Sequence, residues 1–328
     1  MKTPLPYHPK YNQLSAEEED LLSEALSSVE FFVKRSKRIS GVNYATRDAH
    51  AKSYAYIKAV FEPSHDESVK EFFPQDLYES LVRLSHANLK ISKSDKQLPV
   101  FGFALKIYRA ESTEVNYPLV NFPVFPTDSV KGFLKLFIKI NHFFTSSFLL
   151  KPFKILGIIS AVSPMFLEML NLSFFKAVKT WVKNFHHFIL ARSYYSVGVY
   201  RLGKKMIKLK LVPKLFDPEF KISESIHENV KAYLKQKKLQ YDIFYQLAYN
   251  EKEQPINTLT RDWKNTEFRH FGTLNCLQVV EENGLDFEKL SFNPFNNIET
   301  LQPVGKIQHL RKSVYEKSEK IRNNLNKK

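Results

Sequence analysis

The stretch Val100-Phe101-Gly102-Phe103-Ala104-Leu105-Lys106-Ile107-Tyr108 carries large apolar side chains at every second position. A period of two is typical of a β-strand with one face against a core. A second run, rich in Tyr, Ile, Val and Phe, extends from Ala51 to Phe61 and predicts another strand. No regular alternation of strand and helix surrounds these runs, so they favour an antiparallel sheet or barrel over a parallel sheet.

Further elements are predicted on both sides of these two strands. Short runs of strand-forming residues predict strands at 117–121, 207–212, 241–249 and 274–280. Helical spacing of apolar residues predicts helices at 15–37, 129–145, 165–192, 224–238 and 306–323. The first helix has the clearest start, because Ser15 followed by Glu18 is the pattern of a capping box. The predicted fold class is therefore α+β, with an antiparallel β-barrel core and flanking helices.

The composition bounds the class of protein. The chain has 328 residues, of which 43% are hydrophobic and 14% aromatic, which is enough for a sizeable core and excludes disordered, collagen-like and coiled-coil proteins. With only 9 glycines and no Gly/Ser linker, we expect an N-terminal arm and helix at 1–40 and a single domain at 40–328. The only cysteine, Cys276, excludes an intrachain disulfide and a cysteine-based metal cluster.

The charge and hydropathy of the chain bear on its partners and location. The net charge of +15 favours acidic partners such as phosphates, carboxylates or an anionic lipid surface. It is dispersed and no nucleic-acid-binding module is recognisable, so no nucleic-acid partner is expected. The segment from Met1 to Tyr11 lacks the apolar core of a secretory signal, and we expect a cytoplasmic protein.

The most hydrophobic stretch, 133–175, leaves two interpretations open. Lysines and prolines interrupt it before an uncharged run reaches the roughly 20 residues of a bilayer span, so no transmembrane helix is predicted. Its mixture of Lys, Phe and Leu is typical of helices that cover a core, which is the favoured interpretation. The same mixture also suits a helix lying peripherally on an anionic membrane.

Three short groups of polar residues carry the candidate chemistry. The first, Arg47-Asp48-Ala49-His50-Ala51-Lys52, lies at the entrance of a predicted strand. The second comprises Arg83-Leu84-Ser85 and Asn121, whose amide lies among apolar neighbours and needs partners when buried. In the third, Arg311, Tyr315 and Arg322 fall on one face of the C-terminal helix. Nearby cations favour the phenolate form of a tyrosine, which is a known axial ligand of haem iron.

In this order and spacing, the groups resemble the motifs of the catalase superfamily over about residues 40 to 323. The similar segments are 47–52 (Arg-x-x-His-Ala-Lys in the family), 83–85 (Arg-Phe-Ser), 102–106 (Gly-Phe-Ala-x-Lys), 121–125 (Asn-x-Pro-x-Phe) and 311–315 (Arg-x-x-x-Tyr). The tract 303–311 is similar to the short catalase-related haem proteins. That branch includes allene oxide synthases and haem peroxidases that act on hydroperoxides.

The resemblance implies a cofactor, a set of site residues and a reaction. It implies haem b, with the C-terminal helix on its proximal side and Tyr315 as the iron ligand. The residues implied to bind the cofactor besides Tyr315 are Arg47, Arg83, Arg311 and Arg322. His50 and Asn121 are implied to act on a hydroperoxide substrate. The implied function is haem-dependent cleavage of peroxide bonds; the alternative is a non-catalytic haem- or lipid-binding protein that associates peripherally with membranes.

Departures from the family pattern bear on the substrate. Phe101 stands where catalases carry an arginine, and the segment at Asn121 is one residue shorter than usual. Together with the apolar stretch 133–175, these departures favour an open entrance that admits lipids. Hydrogen peroxide and organic hydroperoxides both remain candidates, and we expect turnover of the organic compounds to rival or exceed that of hydrogen peroxide.

Overall fold

The computed structural model describes residues 2–109, 113–281 and 284–327, and its centre is a closed antiparallel barrel of eight strands. The sheet of the described chain has ten strands, eight of which form the barrel. They are β1 (Ser53–Pro63), β2 (Tyr78–His86), β3 (Phe101–Tyr108), β4 (Glu114–Val120), β5 (Tyr194–Tyr195), β6 (Val199–Leu202), β7 (Lys205–Leu215), β8 (Leu239–Leu247), β9 (Arg269–Val280) and β10 (Pro303–Val304). The barrel order is β7-β5-β4-β3-β2-β1-β9-β8, and β8 pairs back with β7. Strands β6 and β10 extend the sheet beside β7. The predicted α+β class with an antiparallel barrel is confirmed.

Aromatic side chains fill the barrel. Strand β8 alternates buried and partly buried residues along its whole length, which is the period of two that predicts a strand from the sequence. The ring of Phe103 on β3 lies 5.0 Å from that of Tyr194 and 5.3 Å from that of Tyr241, measured between centroids. Because neighbouring residues of a strand point to opposite faces, Gly102 and Ala104 face away from this packed interior. The outer wall of β3 is therefore available to a site.

Eight helices surround the barrel in the described part of the chain. They are α1 (Ala16–Ser40), α2 (Glu67–Lys70), α3 (Val130–Thr145), α4 (Lys151–Met169), α5 (Leu172–Lys183), α6 (Ile226–Gln236), α7 (Gly284–Lys289) and α8 (Lys306–Leu325). The predicted capping box is confirmed, because Ser15 accepts from the backbone of Glu18 and the Glu18 side chain accepts from the backbone of Ser15. Helix α1 packs on α3 and α8 through a small apolar cluster that includes Leu22, Leu134 and Leu310.

The predicted helix at 165–192 is wrong. The chain forms two helices there, α4 and α5, and they are separated at Leu170 and Asn171. The Asn171 side chain accepts from the backbone N–H of Phe174 at 3.0 Å and so starts α5 as its N-cap. Residues 151–164, which form most of α4, lie outside the predicted helices. Pro152 lies in the first helical turn, where a backbone N–H is not needed, and Pro164 lies within the helix.

One helical segment in the described part of the chain is long and apolar enough to cross a bilayer by length and composition. It covers the 22 residues Phe148–Met169; an 18-residue window within it has a mean hydropathy of 1.4, and 11% of that window is buried. Length and composition alone are weak evidence for a membrane span. The predicted absence of a transmembrane helix therefore stays a prediction.

Candidate functional site

The imidazole of His50 lies against the outer wall formed by β2 and β3. His50 precedes β1 and has a φ of 52°, a left-handed backbone conformation that residues other than glycine seldom adopt. Its Nδ1 is 3.1 Å from the hydroxyl of Ser85, which pairs with Gly102 across β2 and β3. A Cβ at position 102 would lie 2.6 Å from His50 Nδ1 and 2.7 Å from Ser85 Oγ. Glycine at position 102 therefore makes room for this imidazole.

The surroundings of His50 keep its ring neutral. Burial, together with the nearby charges of Arg83 and Arg311, lowers the pKa of His50 to about 3. No described residue is hydrogen-bonded to Nε2, the second ring nitrogen. When the proton is on Nδ1, the ring donates to Ser85 and Nε2 keeps a lone pair. Its unpartnered nitrogen offers a lone pair to a proton, and the lowered pKa means that the ring would hold this proton only transiently at pH 7.

Arg83 holds the turn that carries His50. Its Nη2 donates to the backbone carbonyl of His50 at 2.6 Å. Its Nε donates to the hydroxyls of Ser53 at 2.9 Å and Tyr56 at 3.0 Å. The guanidinium is buried, and the predicted binding of Arg83 to a cofactor stays a prediction. In this arrangement Arg83 positions His50.

The opposite side of the site is the face of α8 that carries Tyr315. Arg311, one turn earlier, donates from Nη2 to the phenol oxygen of Tyr315 at 3.2 Å. Its Nη1 donates to the side chain of Gln308 at 2.5 Å. The predicted pairing of Arg311 with Tyr315 is present. Because the charge of Arg311 also lowers the pKa of His50, the two sides share one electrostatic environment.

Arg47 and Arg322 lie together, and both contact the carboxylate of Glu288. Its Oε2 is 3.3 Å from Nε of Arg47 and 3.0 Å from Nη1 of Arg322. All three side chains are largely withdrawn from solvent, at 12%, 6% and 5% exposure for Arg47, Arg322 and Glu288. Arg47 also donates to the backbone carbonyls of Phe287 and Leu290, at 3.1 and 2.6 Å. Both predicted cofactor-binding arginines thus have a carboxylate partner within the chain.

The segment that carries Glu288 also covers Tyr56. The ring of Phe287 stacks on that of Tyr56, with centroids 3.9 Å apart and planes 16° from parallel. Tyr56 in turn accepts from Arg83, the residue that holds His50. The end of α7 is therefore connected through one ring pair to the turn that carries His50.

Asn121 fastens the start of β3. Its Oδ1 accepts from the backbone N–H of Phe101 at 2.7 Å, and its Nδ2 donates to the carbonyl of Pro99 at 2.8 Å. The indole N–H of Trp181 on α5 donates to the same carbonyl at 3.3 Å. These bonds satisfy the buried amide and fix the strand that carries Gly102. The predicted action of Asn121 on a peroxide stays a prediction.

The fit of these residues to haem differs between two groups of side chains. At His50 and Tyr315, which face each other across the site, the donor set suits an iron porphyrin, because a phenol with a guanidinium partner can ligate iron. On the arginine side, Glu288 stands where a haem propionate would be expected, since both are carboxylates. Arg47 and Arg322 fit the propionates of haem when the ion pair of Glu288 with Arg47 or Arg322 is broken.

Three residues of this site had no role assigned from the sequence. Ser85 belongs to the segment Arg83-Leu84-Ser85, and only the fold shows that it contacts His50. Gly102 offers a usable signal, because a glycine within an alternating strand often marks a close approach. Glu288 offers none, since it lies 241 positions from Arg47 in the chain.

Comparison with known proteins places this fold. A fungal catalase solved at 1.9 Å superposes with a TM-score of 0.64 at 15% identity, covering 99% of this chain and 67% of that one. Catalase A from Saccharomyces cerevisiae gives 0.60 at 14% identity, with 100% and 69% covered. A bacterial catalase gives 0.58 at 12% identity, with 90% and 62% covered. No protein-family model matches the sequence, and no curated protein sequence matches it.

Proposed function

We propose, from the premise that this chain has the catalase fold, that it is a haem-dependent oxidoreductase that cleaves peroxide bonds. The observation that carries the proposal is the neutral imidazole of His50, supported by Ser85 and set against Gly102. The charge of Arg311, which acts on this imidazole, belongs to the same side chain that donates to Tyr315. A proton acceptor and an iron ligand are therefore supported in one environment.

The proposed cofactor is haem b, held by residues of α8 and of the turn before β1. Tyr315 would ligate the iron, with Arg311 donating to the phenol oxygen and so stabilising its deprotonated form. Arg47 and Arg322 would receive the propionates after Glu288 is displaced. No Cys-x-x-Cys-His attachment sequence is possible with one cysteine, so the site would be noncovalent. When bound, the haem iron supplies the electrons that break the O–O bond.

The residues of the β-barrel wall supply the proton chemistry. His50 Nε2 would take the proton of the hydroperoxide O–H and return it to the oxygen that leaves. Ser85 on Nδ1 and the glycine at position 102 hold the ring in one orientation during both transfers. Arg83 fixes the backbone of His50 and, as a cation, opposes protonation of the ring at rest.

The proposed substrates are organic or fatty-acid hydroperoxides, with hydrogen peroxide as the competing candidate. The support is the apolar character of the loop beside Asn121. Phe122 packs on Phe174 of α5 with ring centroids 5.8 Å apart. Apolar walls with few polar groups suit a lipid chain better than hydrogen peroxide alone.

Haem reconstitution and parallel assays test the proposal. We expect haem to bind at about one per chain with a Soret band, and initial rates with an organic hydroperoxide to equal or exceed those with hydrogen peroxide. A folded protein that stays colourless with excess haem contradicts the cofactor. A large rate advantage for hydrogen peroxide contradicts the substrate class while leaving the reaction class in place.

A second candidate function is haem or lipid binding without catalysis. Two observations favour it: the carboxylate of Glu288 occupies Arg47 and Arg322, and both amide atoms of Asn121 are bonded to backbone. Haem binding without turnover of either peroxide would select this candidate over the enzyme.

A further inference from the structure

Helices α4 and α5, with the turn before them, expose many large apolar side chains. Of the 21 exposed large hydrophobic residues in the described chain, 13 lie between Phe148 and Val182 and 8 lie elsewhere. Phe148 and Leu149 are 83% and 81% exposed. Concentrations of this kind mark interaction surfaces, whereas single exposed apolar residues are normal.

The exposed residues form one surface. On α4, Phe153, Leu156 and Leu167 follow helical spacing and share a face. Met165 is the one fully buried residue of α4, and Ala177 is that of α5. By contrast, α3 buries several residues against the core. The expectation that the stretch 133–175 covers the core therefore holds for α3 and not for α4 or α5.

This surface is held on the body of the protein by polar contacts. Lys139 on α3 donates to the hydroxyl of Ser160 on α4 at 3.0 Å. The carboxylate of Glu168, near the end of α4, accepts from the hydroxyl of Thr127 at 2.8 Å and the backbone N–H of Asp128 at 2.5 Å. Both the middle and the end of α4 are thus tied to the α3 region. The apolar face is presented outward without any need for α4 to leave its position.

The charges around the surface have one sign. Between 129 and 192 the lysines are Lys131, Lys135, Lys139, Lys151, Lys154, Lys176, Lys179 and Lys183. The only acidic residue in that interval is Glu168, and its carboxylate is used in the contacts to Thr127 and Asp128. A second copy of the chain would bring two bodies of net charge +15 together. Charge complementarity therefore favours an anionic partner over self-association.

We propose that the outer face of 148–183, which we call the hairpin face, docks peripherally on an anionic lipid bilayer. Exposed Phe and Leu would enter the boundary of the acyl chains, and the lysines would pair with lipid phosphates. The inner side of α5 contacts the candidate site, through Phe174 against Phe122 and Trp181 on Pro99. Docking would hold that part of the site close to the membrane. The proposal stands on exposure and charge and does not depend on haem chemistry.

Vesicle sedimentation with the full chain tests the docking. The probes are vesicles of phosphatidylcholine alone and of phosphatidylcholine with phosphatidylserine. We expect binding to the anionic vesicles only. Binding should weaken when salt rises from about 0.1 to 1 M, which shortens the Debye length from about 10 to about 3 Å. An alkaline wash should release the bound protein, as expected for a peripheral contact.

Two variants and two matched controls locate the contact. The apolar variant combines Phe153→Ser, Leu156→Ser, Phe166→Ser and Leu167→Ser. The charge variant combines Lys176→Glu, Lys179→Glu and Lys183→Glu, all exposed on α5. Their controls exchange exposed residues elsewhere, at Leu77, Leu98, Ile222 and Leu277 to Ser and at Lys58, Lys235 and Lys238 to Glu. At roughly 1 kcal/mol per lysine, we expect the charge variant to lose about a hundredfold in affinity.

The outcomes separate docking from its alternatives. Loss of binding in both variants, with both controls binding as wild type, supports the proposal. It is overturned if wild type ignores anionic vesicles, if both hairpin variants bind as wild type does, or if each control loses as much binding as its matched variant. Retention after the alkaline wash overturns it in favour of insertion. A dimer seen by light scattering without vesicles, and absent in the apolar variant, overturns it in favour of self-association.

Discussion

The two sides of the candidate site differ in what their side chains leave unused. On the barrel side, His50 is held by one hydroxyl and keeps Nε2 unpartnered among the described residues. On the arginine side, Arg47 and Arg322 are joined by Glu288, and Arg47 makes two further bonds to backbone. The first side therefore keeps one ring nitrogen open, while the second is satisfied by the chain itself.

Under the proposed function, this difference predicts that reactivity and cofactor affinity are controlled separately. A buried ion pair costs much to break, because a charge left alone is poorly solvated. Binding an anionic cofactor at Arg47 and Arg322 therefore competes with Glu288. Proton transfer at His50 has no such competitor, since Ser85 engages only Nδ1. Variants on the barrel side should therefore change the reaction rate, and variants on the arginine side should change the affinity for haem.

The largest effect is expected from removing the iron ligand. We expect Tyr315→Phe to abolish stable high-spin ferric haem, because the phenol oxygen is the only atom proposed to bind the iron. Arg311→Ala should retain haem with an affinity about 10–100-fold lower, the usual cost of losing the partner of a ligand. Absorption spectra during haem titration measure both effects.

An exposed tyrosine provides the matched control for this variant. Tyr108→Phe removes a phenol that is 41% exposed at the end of β3, and it should leave the haem spectrum as in wild type. An unchanged spectrum and activity in Tyr315→Phe would show that the α8 assignment is wrong.

The next effect falls on the barrel side. We expect His50→Ala to lower the rate of peroxide cleavage by roughly 10²–10⁴-fold, the range typical of lost acid–base catalysis, while haem stays bound. Gly102→Ala should act in the same direction, because a methyl group would lie 2.6 Å from Nδ1 and force the ring to move. Initial rates at saturating haem measure both variants. An undiminished rate in His50→Ala would remove His50 from the mechanism.

The sequence predicts the barrel side better than the arginine side, for a physical reason. The alternating apolar residues of β3 and the strand-forming run of β1 predict these two strands, and the motifs around His50 lie on or beside them. Register then brings Ser85 opposite Gly102. Glu288 meets its arginines only through long-range packing, and no local pattern marks a residue that pairs 241 positions away. The break at Asn171 is not predicted either, because its capping role becomes evident only in the hydrogen bond that its side chain accepts from Phe174.

A smaller effect is expected at the ion pair. Glu288→Gln should raise haem affinity about tenfold, since a charge-assisted hydrogen bond contributes roughly 1.5–3 kcal/mol and no longer competes. The same change should lower the free energy of unfolding of the haem-free protein by about 3 kcal/mol, because buried arginines lose their counter-charge. Glu299→Gln is the control, since Glu299 pairs with Arg201 at 82% exposure. Lower stability with unchanged haem affinity would separate Glu288 from the cofactor.

The smallest effect concerns stability below neutral pH. The pKa of His50 is lowered from 6.5 to about 3, chiefly by burial. The unfolded chain therefore binds a proton at this imidazole near pH 6.5, whereas the folded chain binds it only near pH 3. The contribution of His50 to the free energy of unfolding is therefore fully present above pH 6.5 and decreases as the pH falls below that value. At pH 5.5 the loss should be about 1.4 kcal/mol relative to neutral pH. Denaturant unfolding of wild type and His50→Gln at pH 7.5 and 5.5 isolates this contribution, which the variant should lack, with exposed His186→Gln as the control. Equal decreases in the free energy of unfolding of wild type and His50→Gln would mean that this imidazole is not held neutral. The proposal that the barrel side transfers protons would then lose its support.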